Sequence, residues 1–414
     1  MIHDIMPGTE EMLSKGMSAG YIGFDPTADS LHIGSLVQIM ILVHFQRSGH
    51  KPIALIGGAT GMVGDPSGKS QERNLLNKAT LDANLKGVRA QLEKYLDFNC
   101  GENAAELVNN YDWYKDFTFL DFIRDVGKHI TLNYMLSKDS VKSRMETGMS
   151  FTEFSYQLVQ GYDFYWLYKN KNCKLQLGGS DQWGNIVCGT EFIRRKDGGE
   201  AFAVTTPLIQ KADGTKFGKT EAGNVWLDPN KTSPYKFYQY WINSSDTDAE
   251  NYIKIFTLFS KDQIDQLIDE HRANPGLRKL QKELAKDVTI RIHGEDNYNA
   301  AKSASEILFQ KGDAALEGLK KMDEKLFLEV FEGVSQALVD KQKIGSLNII
   351  DALSSETNFL KSNGEARRAL KENSISVNKQ KVNDSKIITK DDLINDQFVL
   401  IQRGKKNYFI LKVN

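Results

Sequence analysis

Cysteine is scarce and scattered in this chain of 414 residues: Cys100, Cys173 and Cys188, with no C-x-x-C pair. That excludes a disulfide-stapled scaffold, argues against a structural zinc site and fits a reducing compartment. Long apolar runs are missing as well. None approaches the roughly 18 residues a membrane-spanning helix needs, so no membrane partner is expected. The first twenty residues hold Asp4, Glu10 and Glu11 against Lys15 and lack an apolar core, unlike a signal peptide or an Arg-rich transit peptide. A soluble, cytoplasmic chain is the expectation. Internal repeats and low-complexity tracts are also lacking.

Net charge is nearly absent too, at -1, but the balance is uneven. From Lys361 to Asn414 there are 12 Lys/Arg against 6 Asp/Glu, so the remainder is acidic. A basic tail on an acidic body points to a polyanionic partner met by the tail. What the chain does have is 40% apolar and 26% charged residues, enough to build a sizeable core. At about 150 residues per domain, two or three domains are expected.

The first half repeats a short apolar strand, a Gly-rich turn and an amphipathic helix. Tyr21-Ile22-Gly23-Phe24 leads through Asp25–Ser30 into a helix expected to run to Arg47, with Gly49 ending it. Pro52–Ile56 leads into Gly57-Gly58-Ala59-Thr60-Gly61, and Lys174–Leu177 into Gly178-Gly179-Ser180-Asp181-Gln182. Strands alternating with helices imply an α/β fold with a parallel sheet, which binds ligands at the carboxyl ends of its strands. The stretch 79–136 reads as mainly helical, without a chemical motif. Residues 233–310 read as charged helices. Beyond a helix ending near Lys371 come short alternating segments, Ser374–Asn378 and Gln397–Ile401, and a hairpin at Arg403–Asn407.

Four constellations could carry chemistry. His32-Ile33-Gly34 opens a helix, where free backbone N–H groups and the dipole favour phosphate; a histidine there is equally an ordinary cap. Asp25, Thr27 and His32 share its loop. Lys211–Thr220, with Lys216 and Lys219 three apart, reads either as a solvated loop or as a cationic clamp for a triphosphate. Gly64-Asp65-Pro66-Ser67-Gly68-Lys69-Ser70 approaches a P-loop, but G-x-x-x-x-G-K-[ST] requires glycine where Val63 stands. It reads as a flexible loop carrying Lys69 and Arg73 toward phosphates, with Asp65 available to a cationic amine. Finally, Tyr156, Gln160 and Asp163 fall on one stripe of an aromatic-rich helix between Phe151 and Tyr168. Such a stripe is either the wet face or the lining of a polar pocket.

Together these motifs resemble those of bacterial-type tyrosyl-tRNA synthetases, over nearly the whole chain. Tyr21–Gly34 resembles that family's first signature and Lys216-Phe217-Gly218-Lys219-Thr220 its version of KMSKS. Gly57–Gly68, Phe151–Asp163 and Gly178–Asn185 are similar as well. The resemblance implies a Rossmann-like parallel-sheet catalytic domain over 1–230, an α-helical domain over 231–330, a linker over 331–345 and a small S4-like α+β RNA-binding domain over 346–414. It implies that L-tyrosine is activated by ATP, carrying Mg2+, to tyrosyl-adenylate and then passed to the 3′ end of tRNA(Tyr). Tyr21 and Asp163 would meet the phenol, Tyr156, Gln160 and Asp65 the amine, and Gln182 the carboxylate. Asp181 and Gly179 would face the ribose and Gly34 the adenine, with Asp25 and Ser35 also on the ATP side. His32, Thr27, Lys69, Arg73, Lys216, Lys219 and Thr220 would stabilise the phosphates. Neither nucleophile nor general base is needed, because the substrate carboxylate is already ionised. No protein-bound metal and no DNA partner are implied; a homodimer is.

Two departures stand out. The HIGH signature ends here in Ser35, which is shorter and donates one hydrogen bond, altering that contact with ATP. Phe217 and Gly218 lie between the signature lysines, which is expected to change loop flexibility more than charge. In the tail Arg367, Arg368, Lys379, Lys381, Lys405 and Lys406 are expected to meet RNA backbone, with Arg194, Arg195 and Lys196 as further candidates. Two rivals remain. A tryptophan-specific synthetase or other nucleotidyl-transferring enzyme lacks the Tyr21/Asp163 pair and the S4-like tail. A non-catalytic RNA-binding scaffold would not need Lys216 and Lys219.

Overall fold

The computed structural model describes residues 2–67, 76–145, 148–220, 223–307, 312–404 and 407–414. The chain forms two compact units: residues up to Lys231 with Asn251–Leu258, and Thr232–Glu250 with Phe259–Asn414.

The first unit is built on a six-stranded sheet of β1 (Asp4–Ile5), β2 (Ala19–Phe24), β3 (Lys51–Ile56), β4 (Glu106–Asn109), β5 (Cys173–Gly179) and β6 (Phe202–Thr206). Their spatial order is β1-β6-β5-β2-β3-β4. All neighbours pair parallel except β1, which runs antiparallel to β6. β3 and β5 are buried along nearly their whole length, as strands covered on both faces must be. β4 lies inside the stretch expected to be helical. It is four residues long and half-buried, so its strand character comes from pairing with β3 rather than from a local pattern.

The helix after β2 spans Ile33–Arg47, as expected, and Gly49 beyond it adopts φ 87°. Its buried Ile33, Leu36, Met40 and Phe45 recur at helical spacing and press it onto the sheet. The long helix Phe151–Lys171 is capped by Ser150, whose hydroxyl accepts from Glu153 N–H, and ends at Asn172 in the left-handed region. It packs closely along the helix Trp183–Asp197, where Gly161 faces the backbone of Gly189. A Cβ on Gly189 would come within 2.9 Å of Phe164, so glycine sets the approach of these helices.

The second unit holds helices including Pro234–Ile242, Lys279–His293 and Glu295–Ile307, followed by a five-stranded sheet. After the short hairpin β7 (Lys219–Thr220) and β8 (Gly223–Asn224) in the first unit come β9 (Gln336–Val339), β10 (Ile375–Val377), β11 (Gln380–Lys381), β12 (Phe398–Arg403) and β13 (Asn407–Val413). The order is β11-β10-β12-β13-β9, with β9 parallel to β13. A core of its own, with Ile349, Leu353, Ala369, Val399, Ile401 and Leu411, lies under this sheet.

Two boundaries differ from expectation. The supposed linker 331–345 contributes β9, which is short and has Leu338 64% exposed, so little in it alternates; β13 supplies its register. The helical region expected to start at 231 also gives Asn251–Leu258 back to the first unit.

Candidate active site

From β2 the chain runs outward through β3 and β4, then returns to the other side of β2 for β5 and β6. Loops leaving β2 and β5 therefore part in opposite directions, and the crevice between them is where open α/β sheets take ligands. A cavity of about 310 Å3 opens there. Tyr21, Asp25, Thr27, His32, Gly34 and Ser35 line it from β2 and the loop and helix that follow. Asp65 follows the short helix Thr60–Val63 beyond β3, Tyr156, Gln160 and Asp163 come from the long helix, and Gly179, Asp181 and Gln182 from the end of β5 and the turn after it. Nearly every tyrosine- and nucleotide-side residue expected from the sequence is thus on one wall or another.

The polar stripe is not the wet face. Tyr156, Gln160 and Asp163 are 5%, 9% and 1% exposed. Asp163 accepts from Asn110 Nδ2 at 3.0 Å and from Trp113 Nε1 at 2.9 Å. Burial pushes its carboxyl up to about 7, against the lowering effect of the hydrogen bonds from Asn110 and Trp113. Beside it Tyr21 lies edge-on to Phe164 at 5.4 Å, its hydroxyl buried and without a hydrogen-bond partner among the described residues. Leaving such a group unpaired costs about 1–3 kcal/mol, so it points to a polar atom supplied by a ligand. Burial and the Asp163 charge hold the Tyr21 phenol well above its usual range.

Toward the middle of the cavity, Asp25 accepts from Tyr156 OH at 3.0 Å and from Thr60 Oγ1 at 2.7 Å. Asp65 accepts from Gln182 Nε2 at 2.8 Å and from the Ser67 backbone N–H at 2.9 Å, with Asn185 Nδ2 at 3.4 Å. Four carboxylates, Asp25, Asp65, Asp163 and Asp181, therefore share one cavity. Such a field favours an ammonium group and a nucleotide accompanied by a divalent cation.

His32 is the helix cap, and that role also orients it. Its Nδ1 accepts from Gly34 N–H at 3.0 Å, which leaves the proton of the neutral ring on Nε2. A Cβ at Gly34 would lie 2.7 Å from His32 Cε1, and one at Gly179 would lie 2.6 Å from Asp181 Oδ1. Both glycines make room for a functional side chain as well as for an incoming ring.

The signature loop meets the start of this helix through the backbone. Val225 N–H donates to Gly218 O at 3.0 Å, and Ile33 N–H to Val225 O at 2.9 Å. Gly218, at φ 80°, stands against Ile33 and the Gly34 nitrogen. Phe217 stacks on Phe256 at 5.3 Å and meets Tyr252 edge-on at 5.1 Å, so this residue anchors the loop. Lys216, Lys219 and Thr220 are exposed on the loop and do not line the cavity. Lys69 and Arg73 lie outside the described residues, as do Lys405 and Lys406.

In the tail, Arg367 and Arg368 are exposed on the helix Asn363–Lys371. Lys381 is exposed and donates to Asn373 O. Lys379 corrects the expectation of a surface cation. It is 5% exposed and donates to Tyr408 OH at 2.7 Å, and burial lowers its ammonium to about 8. The hairpin turn at Asn378-Lys379 places both residues at positive φ, directing the lysine inward. Arg194 and Arg195 both pair with Glu191, and Lys196 sits over the Tyr165 ring at 4.5 Å.

Sequence reasoning missed Gln176, Gln38, Asn110 and Trp113. Gln176 pairs with Tyr21 across β5 and β2, and its Oε1 is buried without a partner among the described residues. A lone polar residue inside Leu175-Gln176-Leu177 was the available signal. Gln38 follows Ser35 by one turn and also lines the cavity. Asn110 and Trp113 carried no signal, because β4 itself was illegible.

Residues 14–310 match the family described as tRNA synthetases class I (W and Y). The sheet, its switch-point cavity and that match define the class: a class I aminoacyl-tRNA synthetase. Residues 327–411 match the tyrosine–tRNA ligase SYY-like C-terminal domain. The chain is 61% identical to a tyrosine–tRNA ligase of Flavobacterium johnsoniae, covering 100% of this chain and 97% of that protein. It is 58% identical to one of Porphyromonas gingivalis over the same shares. Among solved structures, a C-terminally truncated mitochondrial tyrosyl-tRNA synthetase of Aspergillus nidulans superposes with TM-score 0.67 at 31% identity, over 75% of this chain and 91% of that one. The chain belongs to the tyrosine–tRNA ligase family.

Proposed function

We propose that the chain activates L-tyrosine with ATP, releasing pyrophosphate, and transfers the tyrosyl group from the adenylate to the 3′ end of tRNA(Tyr). The observation that carries the tyrosine end is the pair at the closed end of the cavity: the orphaned Tyr21 hydroxyl beside the anchored, buried Asp163. A substrate phenol donates to Asp163 as a further donor and accepts from Tyr21, pairing the orphaned hydroxyl. Phenylalanine would leave the Tyr21 hydroxyl unpaired and Asp163 without that further donor, which disfavours it strongly.

The ammonium lies among Asp65, Tyr156 and Gln160, and the carboxylate near Gln182. That carboxylate attacks the α-phosphorus; the bond to the bridging oxygen breaks and pyrophosphate leaves with its electron pair. Catalysis is positioning and charge stabilisation. His32 Nε2–H and Thr27 donate to phosphate oxygens, Asp181 and Gly179 hold the ribose, and Gly34, Ser35 and Asp25 border the nucleotide. Lys216, Lys219 and Thr220 reach the phosphates from the exposed loop, and Lys69 and Arg73 are assigned to the same phosphates. Mg2+ enters on the nucleotide. Arg367, Arg368 and Lys381 meet the tRNA backbone.

The working form is a homodimer in the cytoplasm. Phe119, Leu120, Ile123, Leu132, Met145 and Phe151 are all more than a third exposed within one stretch of chain, and burial against a second copy would remove them from water. Sedimentation should give twice the chain mass, and Leu120→Glu should shift it toward the monomer. The activity is tested by tyrosine-dependent exchange of labelled pyrophosphate into ATP. Exchange is expected with tyrosine; exchange driven by tryptophan instead, or by no amino acid, overturns the reading.

A further inference from the structure

Behind the wall that carries Asp163 lies a second cleft of about 620 Å3. It is bounded by the edge strand β4, by the helix Lys78–Leu92, and by Trp113 and Trp166. The two indoles stack in parallel, with ring centroids 4.2 Å apart. Leu85, Leu107 and Ile56 add apolar lining. The rim carries charge of both signs. Arg89 is paired with Glu93, and Glu106 with Lys51 and Lys171, whereas Lys86, Asp82 and Asp112 have no ion-pair partner among the described residues. Flat aromatic walls with one available cation and two available carboxylates in the lining suit a small zwitterion bearing a ring, its ammonium toward the acidic side and its carboxylate toward Lys86.

The cleft shares its wall with the site. Trp113 lines it with the same indole whose N–H donates to Asp163 at 2.9 Å, and Asn109 lines it next to Asn110, which donates to the other Asp163 oxygen at 3.0 Å. Both hydrogen bonds therefore come from the segment 109–113 that a ligand in the cleft would press on. Losing either bond leaves the buried carboxyl easier to protonate, since these donors oppose the effect of burial.

We propose that this cleft is an effector site for a free aromatic amino acid, and that its occupation weakens tyrosine binding by disturbing the hold of Trp113 and Asn110 on Asp163. The inference rests on Asp163 receiving the tyrosine phenol. L-Tryptophan is the probe, added to the full-length protein in the pyrophosphate exchange assay at varied L-tyrosine. The KM for tyrosine should rise about tenfold and then level off as tryptophan saturates, with kcat unchanged, a coupling of ordinary allosteric size. Leu85→Trp, which fills the cleft, should abolish the effect, and Lys86→Glu on the rim should weaken it, each leaving the basal tyrosine KM near wild type. Inhibition that rises without limit and survives in both variants would mean tryptophan merely competes in the tyrosine site, and the proposal fails. So it does if tryptophan has no effect while exchange with tyrosine proceeds normally. Absence of tyrosine-dependent exchange would instead defeat the underlying function.

Discussion

On the proposed reading Asp163 reads a hydroxyl with a carboxylate that has almost no exposed surface, an expensive arrangement whose cost its donors contain. Asn110 and Trp113 donate to it, yet burial still lifts its carboxyl to about 7. The unfolded chain would release that proton near the ordinary value of about 3.9. Between those limits the folded state binds more protons than the unfolded one, so this residue's contribution to stability falls as pH rises toward 7. Above 7 the carboxylate is charged and ready to accept the phenol. Two outcomes follow from the one residue. The kcat/KM for tyrosine should climb with pH through about 7. Asp163→Asn, neutral and similar in shape, should lose that rise and most tyrosine activation, while melting at a higher temperature than wild type at pH 8. Thermal melts at pH 5 and pH 8 check the sign: the stability gain should be present at pH 8 and shrink at pH 5.

At the scale of the element, the first turn of the helix Ile33–Arg47 does two jobs with one side chain. His32 caps the helix through Nδ1, and this fixes which ring nitrogen presents a proton to the cavity. Gly34 is what lets the ring lie there. Gly34→Ala should therefore displace His32 rather than unfold the helix. In the exchange assay this is expected to lower kcat about 100-fold, the usual scale for losing one preorganised donor, with the tyrosine KM little changed and the far-ultraviolet circular dichroism intact. The sequence made this turn legible, since strand, Gly-rich loop and helix each carry a local pattern and the signature residues sit where those patterns meet. The stripe Tyr156, Gln160 and Asp163 was visible as a stripe, but whether it faced water depended on β2 and β4, which lie far away in the chain. β4 and β9 escaped notice because each is short, only partly buried and stabilised by a partner strand rather than by alternation. With β4 went Asn110 and Trp113. The inward turn of Lys379 was equally hidden, because composition counts a lysine without saying where its stem goes.

For the whole molecule, charge is divided along the chain: an acidic body with four carboxylates in its cavity, and a basic tail. On the proposed reading the body takes up an ammonium and a nucleotide, while the tail offers cations to a polyanion, so neither would compete for the other's ligand. The tail is not uniformly available, however. Arg367 and Arg368 are exposed on one helix, whereas Lys379 is committed to Tyr408 in the domain interior. Counting all tail cations therefore overstates the RNA-facing set, and the variants should separate the two kinds. Arg367→Ala and Arg368→Ala should raise the KM for tRNA in aminoacylation, leave pyrophosphate exchange unchanged, and each flatten the dependence of tRNA binding on salt by about one phosphate contact. Lys379→Ala should leave that slope alone but lower the melting temperature, because it removes a buried hydrogen bond and its packing against the Tyr408 ring. Equal salt slopes for wild type and both arginine variants, measured by filter binding from low to moderate salt, would mean the tail's excess charge acts at a distance rather than through these two side chains.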